Sequence, residues 1–245
     1  MKYIVVLGDG MADYPVEELG GRTPLQAAHK PWMDFLAQKG ETGMVKTIPD
    51  NMPPGSDVAN LSVLGYDPLK CYTGRSPLEA VSMGINLGQN DTAFRCNLVT
   101  LSDDDTYEEK TMVDYSSDEI STEEARHLIE VVNNTLGQQD IRFYPGLSYR
   151  HCMVWKNAPD SFEPSPLTPP HDILEKRIGQ YLPRGNNGSK LLALMKKSWD
   201  ILSAEPLNLE RRKKGLNPAN SIWLWGEGKK PSLPLFKDLY GCDGA

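Results

Sequence analysis

The chain has 245 residues, of which 39% are hydrophobic, and a formal net charge of −7 at pH 7. This length is sufficient for one large domain or two modest ones with a buried core. The negative charge argues against nucleic-acid binding, which requires a basic surface that displaces counterions. No stretch approaches the ~20 apolar residues of a membrane-spanning helix, and the apolar start is too short for a signal-peptide core. The sequence therefore predicts a cytoplasmic protein that binds neither nucleic acid nor membrane.

The first hundred residues alternate between predicted strands and helices. The apolar run from Tyr3 to Leu7 is rich in β-branched residues, which predicts a strand covered on both faces of a parallel sheet. Helices are predicted from Pro31 to Gly40 and from Asp57 to Leu64, with Pro31 near the start and Gly40 just past the end of the first. A capping box at Ser76 opens a third helix, and Phe94 to Leu101 has the pattern of a second strand.

Further elements follow Leu101. Ser121 begins another capping box and opens a helix whose apolar residues recur three and four positions apart. The sequence then predicts two strands (residues 141–144 and 149–155), a proline-rich loop (159–170), a long helix (189–203) and a buried strand (221–225) that ends at a Gly-Glu-Gly turn.

This order of elements predicts the fold class and three segments. We expect an α/β fold with a mostly parallel sheet flanked by helices and a small inserted α+β subdomain. Residues 1–112 would form the first part of the main domain, residues 113–185 the insertion, and residues 186–245 the return to the main domain. The four cysteines lie far apart at no metal-binding or redox spacing, which indicates buried, reduced thiols.

Asp9 stands between Gly8 and Gly10, where the first predicted strand ends. Ligands bind outside the carboxyl ends of strands in α/β sheets, and flanking glycines let a ligand approach the backbone closely. A carboxylate in that place suits a hard or borderline divalent metal ion. An aspartate of a turn or helix cap explains the same residue equally well.

Ser56 follows Pro53, Pro54 and Gly55 and precedes the helix predicted from Asp57. The positive end of a helix stabilises an alkoxide or a phosphate through its dipole and free amide groups. A serine hydroxyl is a weak nucleophile unless a metal ion or a base activates it. The alternative role is a helix N-cap, which the spacing alone favours.

Four cations are candidates for binding an anionic group. Arg75, Arg95 and Arg150 each carry a guanidinium fork that matches the geometry of carboxylate and phosphate. Lys214 ends the run Arg211 to Lys214, a concentration of positive charge in an acidic chain. For that run a solvated helix end is the alternative interpretation.

Histidine is scarce, with four residues in the chain and no pair at metal-ligand spacing. A two-metal centre usually needs several histidines and carboxylates, and here Asp9 alone stands out. His151 and His171 are better candidates for a site than the other two histidines, although buried or structural roles are common for such residues.

Eight collinear segments resemble the cofactor-independent phosphoglycerate mutases of the archaeal type, a family of the alkaline phosphatase superfamily. Because the segments extend over nearly the whole chain, the resemblance is far more specific than any single motif. They are Leu7–Asp13, Gly21–Leu25, Pro54–Asn60, Leu64–Pro68, Tyr72–Ala80, Phe94–Asn97, Tyr149–His151 and Arg211–Asn220.

The resemblance implies an alkaline-phosphatase-like fold and a role for each candidate residue. Asp9 would be a metal ligand, and Ser56 would be both a metal ligand and the nucleophile that accepts the phosphoryl group of 3-phosphoglycerate. Two divalent ions would serve as cofactors, Mn²⁺ or Mg²⁺ with Zn²⁺ or Co²⁺ as alternatives, and 2,3-bisphosphoglycerate would not be needed. The phosphoglycerate would be bound by Arg150, with Arg75, Arg95 and Lys214 in support.

Members of that family extend well beyond the position of Ala245, and the further part supplies most of their metal ligands. The resemblance therefore predicts an incomplete sheet and an incomplete metal site in this chain, with self-association through the exposed sheet edge. Two other functions stay open. One is a metal-dependent phosphatase or phosphopentomutase of the same superfamily, and the other is a non-catalytic module that binds phosphate.

Overall fold

The structure is a computed structural model that describes residues 2–52 and 54–244. The chain divides into two units between Lys70 and Cys71. Within the described residues, no helix is long and apolar enough to cross a lipid bilayer.

Short helices form the regular structure of the first unit. A 3-10 turn at Glu17–Leu19 is followed by α1 (Pro24–Ala27), α2 (Pro31–Lys39), α3 (Ser56–Val63) and α4 (Pro68–Cys71). The predicted helix from Pro31 is confirmed as α2, with proline in its first turn and Gly40 at its C-cap. The helix predicted from Asp57 is confirmed as α3, which begins one residue earlier.

The strand predicted from Tyr3 to Leu7 is wrong. These residues form no strand among the described residues, and their side chains are exposed, from 51% for Leu7 to 89% for Val6. A β-branched apolar sequence favours a strand only when a neighbouring strand pairs with its backbone and a layer covers its side chains. The described part of the chain supplies neither to this segment.

The second unit contains most of the regular structure. In chain order its described elements are α5 (Arg75–Ser82), β1 (Thr92–Leu101), β2 (Met112–Asp114), α6 (Thr122–Leu136), β3 (Ile141–Leu147), β4 (Arg150–Trp155), α7 (Gly185–Ser203), α8 (Pro206–Lys213), β5 (Ser221–Lys229) and α9 (Phe236–Tyr240). The strands predicted at 94–101, 141–144, 149–155 and 221–225 are thereby confirmed as β1, β3, β4 and β5, and the helix at 189–203 as α7. Ser121 caps α6 as predicted, its Oγ accepting a hydrogen bond from the Glu124 N–H at 3.2 Å.

The sheet is built around β1. This strand pairs with β4, with β5 and, at its end, with β2, while β3 pairs with the outer side of β4. The α/β class is confirmed, but every described strand pairing is antiparallel, whereas a mostly parallel sheet was expected. The reason is local for β3 and β4, because the two residues between them allow only a hairpin and not a crossover helix.

The two faces of the sheet are covered differently. One face packs against α6 and α7 in a large apolar core that includes Phe94, Leu98, Ile129, Met195 and Leu224. On the other face, α5 covers one end, where Ala80 and Leu87 pack on Ala93, Cys152 and Val154. Three of the four cysteines are buried and all are free thiols, as predicted.

Strands from all three predicted segments meet in this sheet, since β1 precedes residue 112, β3 and β4 lie between residues 113 and 185, and β5 follows residue 186. The boundaries at 112/113 and 185/186 stay a prediction about how the chain is organised.

Candidate functional site

Three of the four candidate cations lie together in the second unit. In the register of the sheet, Asn97 pairs with Arg150 and Arg95 pairs with Cys152. Because alternate residues of a strand face the same side, Arg95 and Arg150 emerge on the face that α5 partly covers. Arg75 is the first residue of α5 and lies near Arg95. The sheet register therefore gathers three guanidinium groups that are far apart in sequence.

Two of the three guanidinium groups, those of Arg75 and Arg95, share one carboxylate. Glu79 Oε2 lies 3.0 Å from Arg95 Nε, and Glu79 Oε1 lies 3.4 Å from Arg75 Nε. The Arg95 Nε–H is not directed at the carboxylate, since this buried atom makes no hydrogen bond with the described residues. Arg150 has no carboxylate within 4 Å in the described part of the chain. The cluster thus carries more positive than negative charge.

Burial lowers the pKa of Arg95, whose side chain is 7% exposed. Glu79 opposes this shift, while the like charges of Arg75 and Arg150 add to it. A guanidinium remains protonated under such conditions, so the lowered pKa reflects first the cost of burying the charge and then the repulsion from Arg75 and Arg150. A phosphate or carboxylate bound here would neutralise that charge and accept the unused N–H groups.

Aromatic residues connect the two arginines of the sheet. The Arg95 Cζ lies 4.8 Å from the centre of the Trp225 ring, and the Arg150 Cζ lies 5.4 Å from that of Tyr149. Between these rings stand His171 and Tyr115, in edge-on contacts with centroid distances of 5.4, 6.1 and 5.9 Å along the row from Trp225 to Tyr149. Trp225, Tyr115 and Tyr149 were not predicted as site residues, since no motif connects their distant segments. The register of β5 with β1 places Trp225 opposite Arg95.

A β-bulge at Gly226 accompanies Arg95. The pairing of β1 with β5 shifts between Ala93 and Arg95, and Gly226 has a φ of +62°. A Cβ at this position would lie 3.6 Å from Arg95 Cγ, so the arginine stem runs along the bare backbone. The expectation that the Gly-Glu-Gly turn ends the strand is wrong, because β5 continues to Lys229.

Ser76 supports the bulge instead of capping a helix. The N-cap of α5 is Gly74, whose φ of +128° favours glycine, and Ser76 lies inside the first turn. Its buried Oγ donates a hydrogen bond to the Gly226 carbonyl. The predicted capping role of Ser76 is therefore wrong, because a contact across the fold satisfies the hydroxyl.

Replacement of Gly226 by alanine is expected to destabilise the second unit by about 1–2 kcal/mol, the cost of a left-handed backbone for an L-residue. The neighbouring atoms at 3.4–3.7 Å leave room for the methyl group, so the backbone conformation dominates. Urea unfolding followed by tryptophan fluorescence measures the change. Gly43→Ala is the control, since Gly43 has no positive φ and open space around it; equal effects of the two variants would contradict the interpretation.

Lys214 does not belong to the arginine cluster. It is the exposed C-cap of α8 and has no carboxylate within 4 Å among residues 2–52 and 54–244. The preceding cations are engaged elsewhere: Arg212 binds Asp103 through two hydrogen bonds of 2.8 and 3.1 Å, and Lys213 binds Glu210 at 2.7 Å. Arg212 and Lys213 are therefore engaged in ion pairs at the surface.

The two remaining histidine candidates have different environments. His151 is buried, and its Nδ1 accepts a hydrogen bond from the Gly146 N–H at 3.0 Å. Burial lowers the pKa of His151 to about 3, so this imidazole is neutral. His171 is exposed and stands in the aromatic row beside Trp225. Of the two, only His171 lies at the arginine cluster.

Asp9 and Ser56 lie in the first unit, and both are exposed. Asp9 is in a turn whose Gly10 has a φ of +70°, and Ser56 is the first residue of α3. Gly55 is the N-cap of that helix, so the serine is not a capping residue and Pro53 lies outside the described residues. No hydrogen bond or ion pair within the described residues joins Asp9 to Ser56.

The described residues contain no group of three or more histidine, cysteine, aspartate or glutamate side chains that could hold a metal ion. Asp9 and Ser56 supply at most two protein ligands, whereas metal sites of this kind use three or more. The described residues therefore do not by themselves fit a complete two-metal centre.

A separate cleft of about 480 Å³ lies at the start of β1. Its lining includes Thr92, Phe162, Glu227 and Lys229, and none of the candidate cations. Burial raises the pKa of Glu227, whose carboxylate accepts the Leu167 N–H. The arginine cluster, which lies outside this cleft, has the stronger chemistry for binding an anion.

The fold and the cluster define an α/β protein with a group of arginines on one face of its sheet. The family model for 2,3-bisphosphoglycerate-independent phosphoglycerate mutase matches residues 37–208. The chain belongs to this family.

Curated relatives and solved structures agree with that assignment. The 2,3-bisphosphoglycerate-independent phosphoglycerate mutase of Methanosarcina barkeri is 52% identical over 245 residues, which are 100% of this chain and 60% of the relative. A probable enzyme of the same name from Geobacter sulfurreducens is 51% identical with the same coverage. The chain thus spans about 60% of the length of these relatives.

Two solved structures are similar in fold. The PH0037 protein from Pyrococcus horikoshii has a TM-score of 0.67 and 29% identity, with 95% of this chain and 53% of that chain covered. The cofactor-independent phosphoglycerate mutase from Thermoplasma acidophilum has a TM-score of 0.54 and 28% identity, with 94% and 59% covered. The predicted family and its fold are confirmed.

Proposed function

We propose that this chain belongs to an enzyme that interconverts 3-phosphoglycerate and 2-phosphoglycerate through a phosphoserine at Ser56. The family assignment supports the reaction, and the observation that carries the site is the cluster of Arg75, Arg95 and Arg150, in which one carboxylate, Glu79, pairs with two of the three arginines. A substrate with a phosphate and a carboxylate offers two anionic groups to such a cluster.

In this proposal the phosphoryl group moves to the protein and back. The Ser56 hydroxyl loses its proton as its oxygen attacks phosphorus, the bond from phosphorus to the C3 oxygen breaks, and the C3 oxygen takes up a proton. The glycerate then reorients, and its C2 hydroxyl loses a proton as that oxygen attacks phosphorus. The bond from phosphorus to the Ser56 oxygen breaks, and Ser56 regains its proton. The exposed hydroxyl at the N-terminal end of α3 suits this role, because free amide groups and the helix dipole stabilise a transferring phosphoryl group. Arg75, Arg95 and Arg150 are the proposed ligands of the anionic groups of phosphoglycerate.

The proposal includes divalent metal ions but assigns them no geometry. Mn²⁺ or Mg²⁺, or else Zn²⁺ or Co²⁺, would offset the phosphate charge and activate the serine when bound. Asp9 and Ser56 would contribute to the binding of these ions. Further ligands would be required in addition to those that the described residues supply. The family description makes 2,3-bisphosphoglycerate unnecessary as a cofactor.

The cellular setting follows from the same proposal. The substrate is a small metabolite, and neither nucleic acid nor membrane is expected as a partner of a chain with net charge −7. We expect a cytoplasmic location. Self-association is a further part of the proposal, since the first unit exposes apolar side chains that include Ile4, Val6 and Trp32.

A non-catalytic phosphate-binding module is the second candidate. The observation in its favour is that the described residues gather arginines but hold no group of three metal-binding side chains. Such a module would bind phosphoglycerate without turnover, and a metal chelator would not change its affinity. The phosphatase or phosphopentomutase alternative has no comparable support in the described residues.

Titration calorimetry with 3-phosphoglycerate tests the proposed site. Arg95→Gln is expected to weaken binding about 10- to 100-fold, since charged hydrogen bonds contribute about 1.5–3 kcal/mol. Arg126→Gln, which changes an exposed arginine on α6 across the sheet, is the matched control and should bind normally. Equal affinity of the Arg95 variant and the wild-type chain would contradict the proposed site, provided that both melt at the same temperature.

A further inference from the structure

Trp225 is a buried residue beside the arginine cluster, and its side chain cannot act as an acid, a base or a nucleophile. It is 6% exposed, and its ring is in contact with Arg95. The indole is also fixed at its edge, where Nε1–H donates a hydrogen bond to Asn97 Oδ1 at 3.0 Å. Asn97 is buried as well, and its Nδ2 donates to the Tyr115 carbonyl at 3.3 Å. The Asn97 amide therefore fixes the orientation of the indole ring, and this amide is itself fixed by its hydrogen bond to the Tyr115 carbonyl.

The Arg95 guanidinium has few other restraints. None of its side-chain nitrogens makes a hydrogen bond within residues 2–52 and 54–244, and its Nε–H is not directed at Glu79. The like charges of Arg75 and Arg150 push the group away from its position. Its stem runs along the bare backbone of Gly226.

The two attractive contacts of Arg95 differ in expected strength. Glu79 is 36% exposed and accepts no hydrogen bond from the Arg95 Nε–H, so solvent screens this ion pair. A desolvated cation–π contact with tryptophan reaches about thirtyfold. The indole is therefore the stronger restraint on the guanidinium.

We propose that Trp225 is a positioning residue: held by Asn97, it fixes the Arg95 guanidinium so that the terminal nitrogens are presented to an anionic ligand. The inference rests on the proposed role of Arg95 in binding phosphoglycerate. It adds that a neutral aromatic ring, and not the neighbouring carboxylate, preorganises this arginine. A ring is suited to that task because it holds the cation without occupying its hydrogen-bond donors.

Calorimetry with 3-phosphoglycerate on three single variants tests the proposal. Trp225→Leu removes the ring and is expected to weaken binding about tenfold or more. Trp225→Phe keeps a ring face but loses the bond to Asn97, and should weaken binding by about threefold. Trp199→Leu is the control, because Trp199 contacts Lys110 on a different part of the unit and should leave the affinity unchanged. Melting temperatures confirm that the variants are folded.

The double variant Arg95→Gln/Trp225→Leu separates positioning from a general structural effect. If Trp225 acts through Arg95, the double variant binds no more weakly than Arg95→Gln alone. The Arg95 Nε–H resonance, identified by its absence from the Arg95→Gln spectrum, should also lose the ring-current shift of the indole in Trp225→Leu.

The outcomes distinguish this inference from the proposed function. Normal binding by Arg95→Gln would overturn the proposed site and the inference with it. Weak binding by Arg95→Gln together with normal binding by Trp225→Leu would overturn the inference alone. Additive losses in the double variant would also overturn it, because Trp225 would then act through something other than Arg95.

Discussion

Alanine in place of Ser56 is expected to remove all serine-dependent mutase activity, a loss of about a thousandfold or more, as for other covalent nucleophiles. The hydroxyl is exposed at the first position of α3, and no capping role competes for it because Gly55 is the N-cap. Turnover by this chain should be slow from the outset, since the described residues hold no group of three metal-binding side chains. The measurement is an enolase-coupled assay of 3-phosphoglycerate conversion with Mn²⁺.

Ser62→Ala is the matched control for Ser56→Ala. Ser62 lies on the same helix and is half-buried, so its replacement tests whether any serine change in α3 impairs the unit. The control should retain the rate of the wild-type chain. Equal rates for the Ser56 variant and the wild-type chain would contradict the role of Ser56. Absence of turnover in every variant would favour the phosphate-binding module for this chain.

Local patterns in the sequence predicted the regular elements of the second unit. The capping box at Ser121 and the apolar spacing after it predicted α6, and the strand-like pattern of residues 94–101 predicted β1. These features depend on neighbours within a few residues, which is why the sequence alone is sufficient. The run from Tyr3 to Leu7 failed because a strand also requires a partner, and none is described for it.

The sequence predicts the three arginines of the candidate site, but it does not predict that they lie together. Arg75, Arg95 and Arg150 were each named from their chemistry, and only the register of β1 with β4 brings two of them to one face. Ser76 was assigned to a helix cap because its partner, Gly226, is 150 positions away in the chain. Trp225 and Asn97 were missed for the same reason, since their roles arise from contacts between separate strands.

Arg211 also has partners that are distant in the sequence, although it belongs to a run of four cationic residues. Within the sequence it is one of four consecutive cations, for which a solvated helix end was a reasonable interpretation. In the structure it is 4% exposed, and its guanidinium makes three hydrogen bonds: to Glu124 Oε2 at 2.7 Å, to the Ser117 carbonyl at 2.7 Å and to the Asn217 carbonyl at 3.0 Å. This one side chain therefore connects α8 with the start of α6 and two loops.

Arg211→Ala is expected to destabilise the second unit by about 3–5 kcal/mol, because removing one partner of a buried ion pair leaves the other polar groups unsatisfied. Urea unfolding followed by tryptophan fluorescence measures the loss. Arg212→Ala is the matched control: Arg212 binds Asp103 at the surface, where an ion pair contributes about 0–1 kcal/mol. Similar losses from the two neighbouring substitutions would contradict the structural role of Arg211. A large loss from Arg211→Ala alone would show that Arg211 stabilises the unit that carries the arginine cluster. A loss of ligand binding in this variant would then be explained by unfolding and not by a lost contact with the ligand.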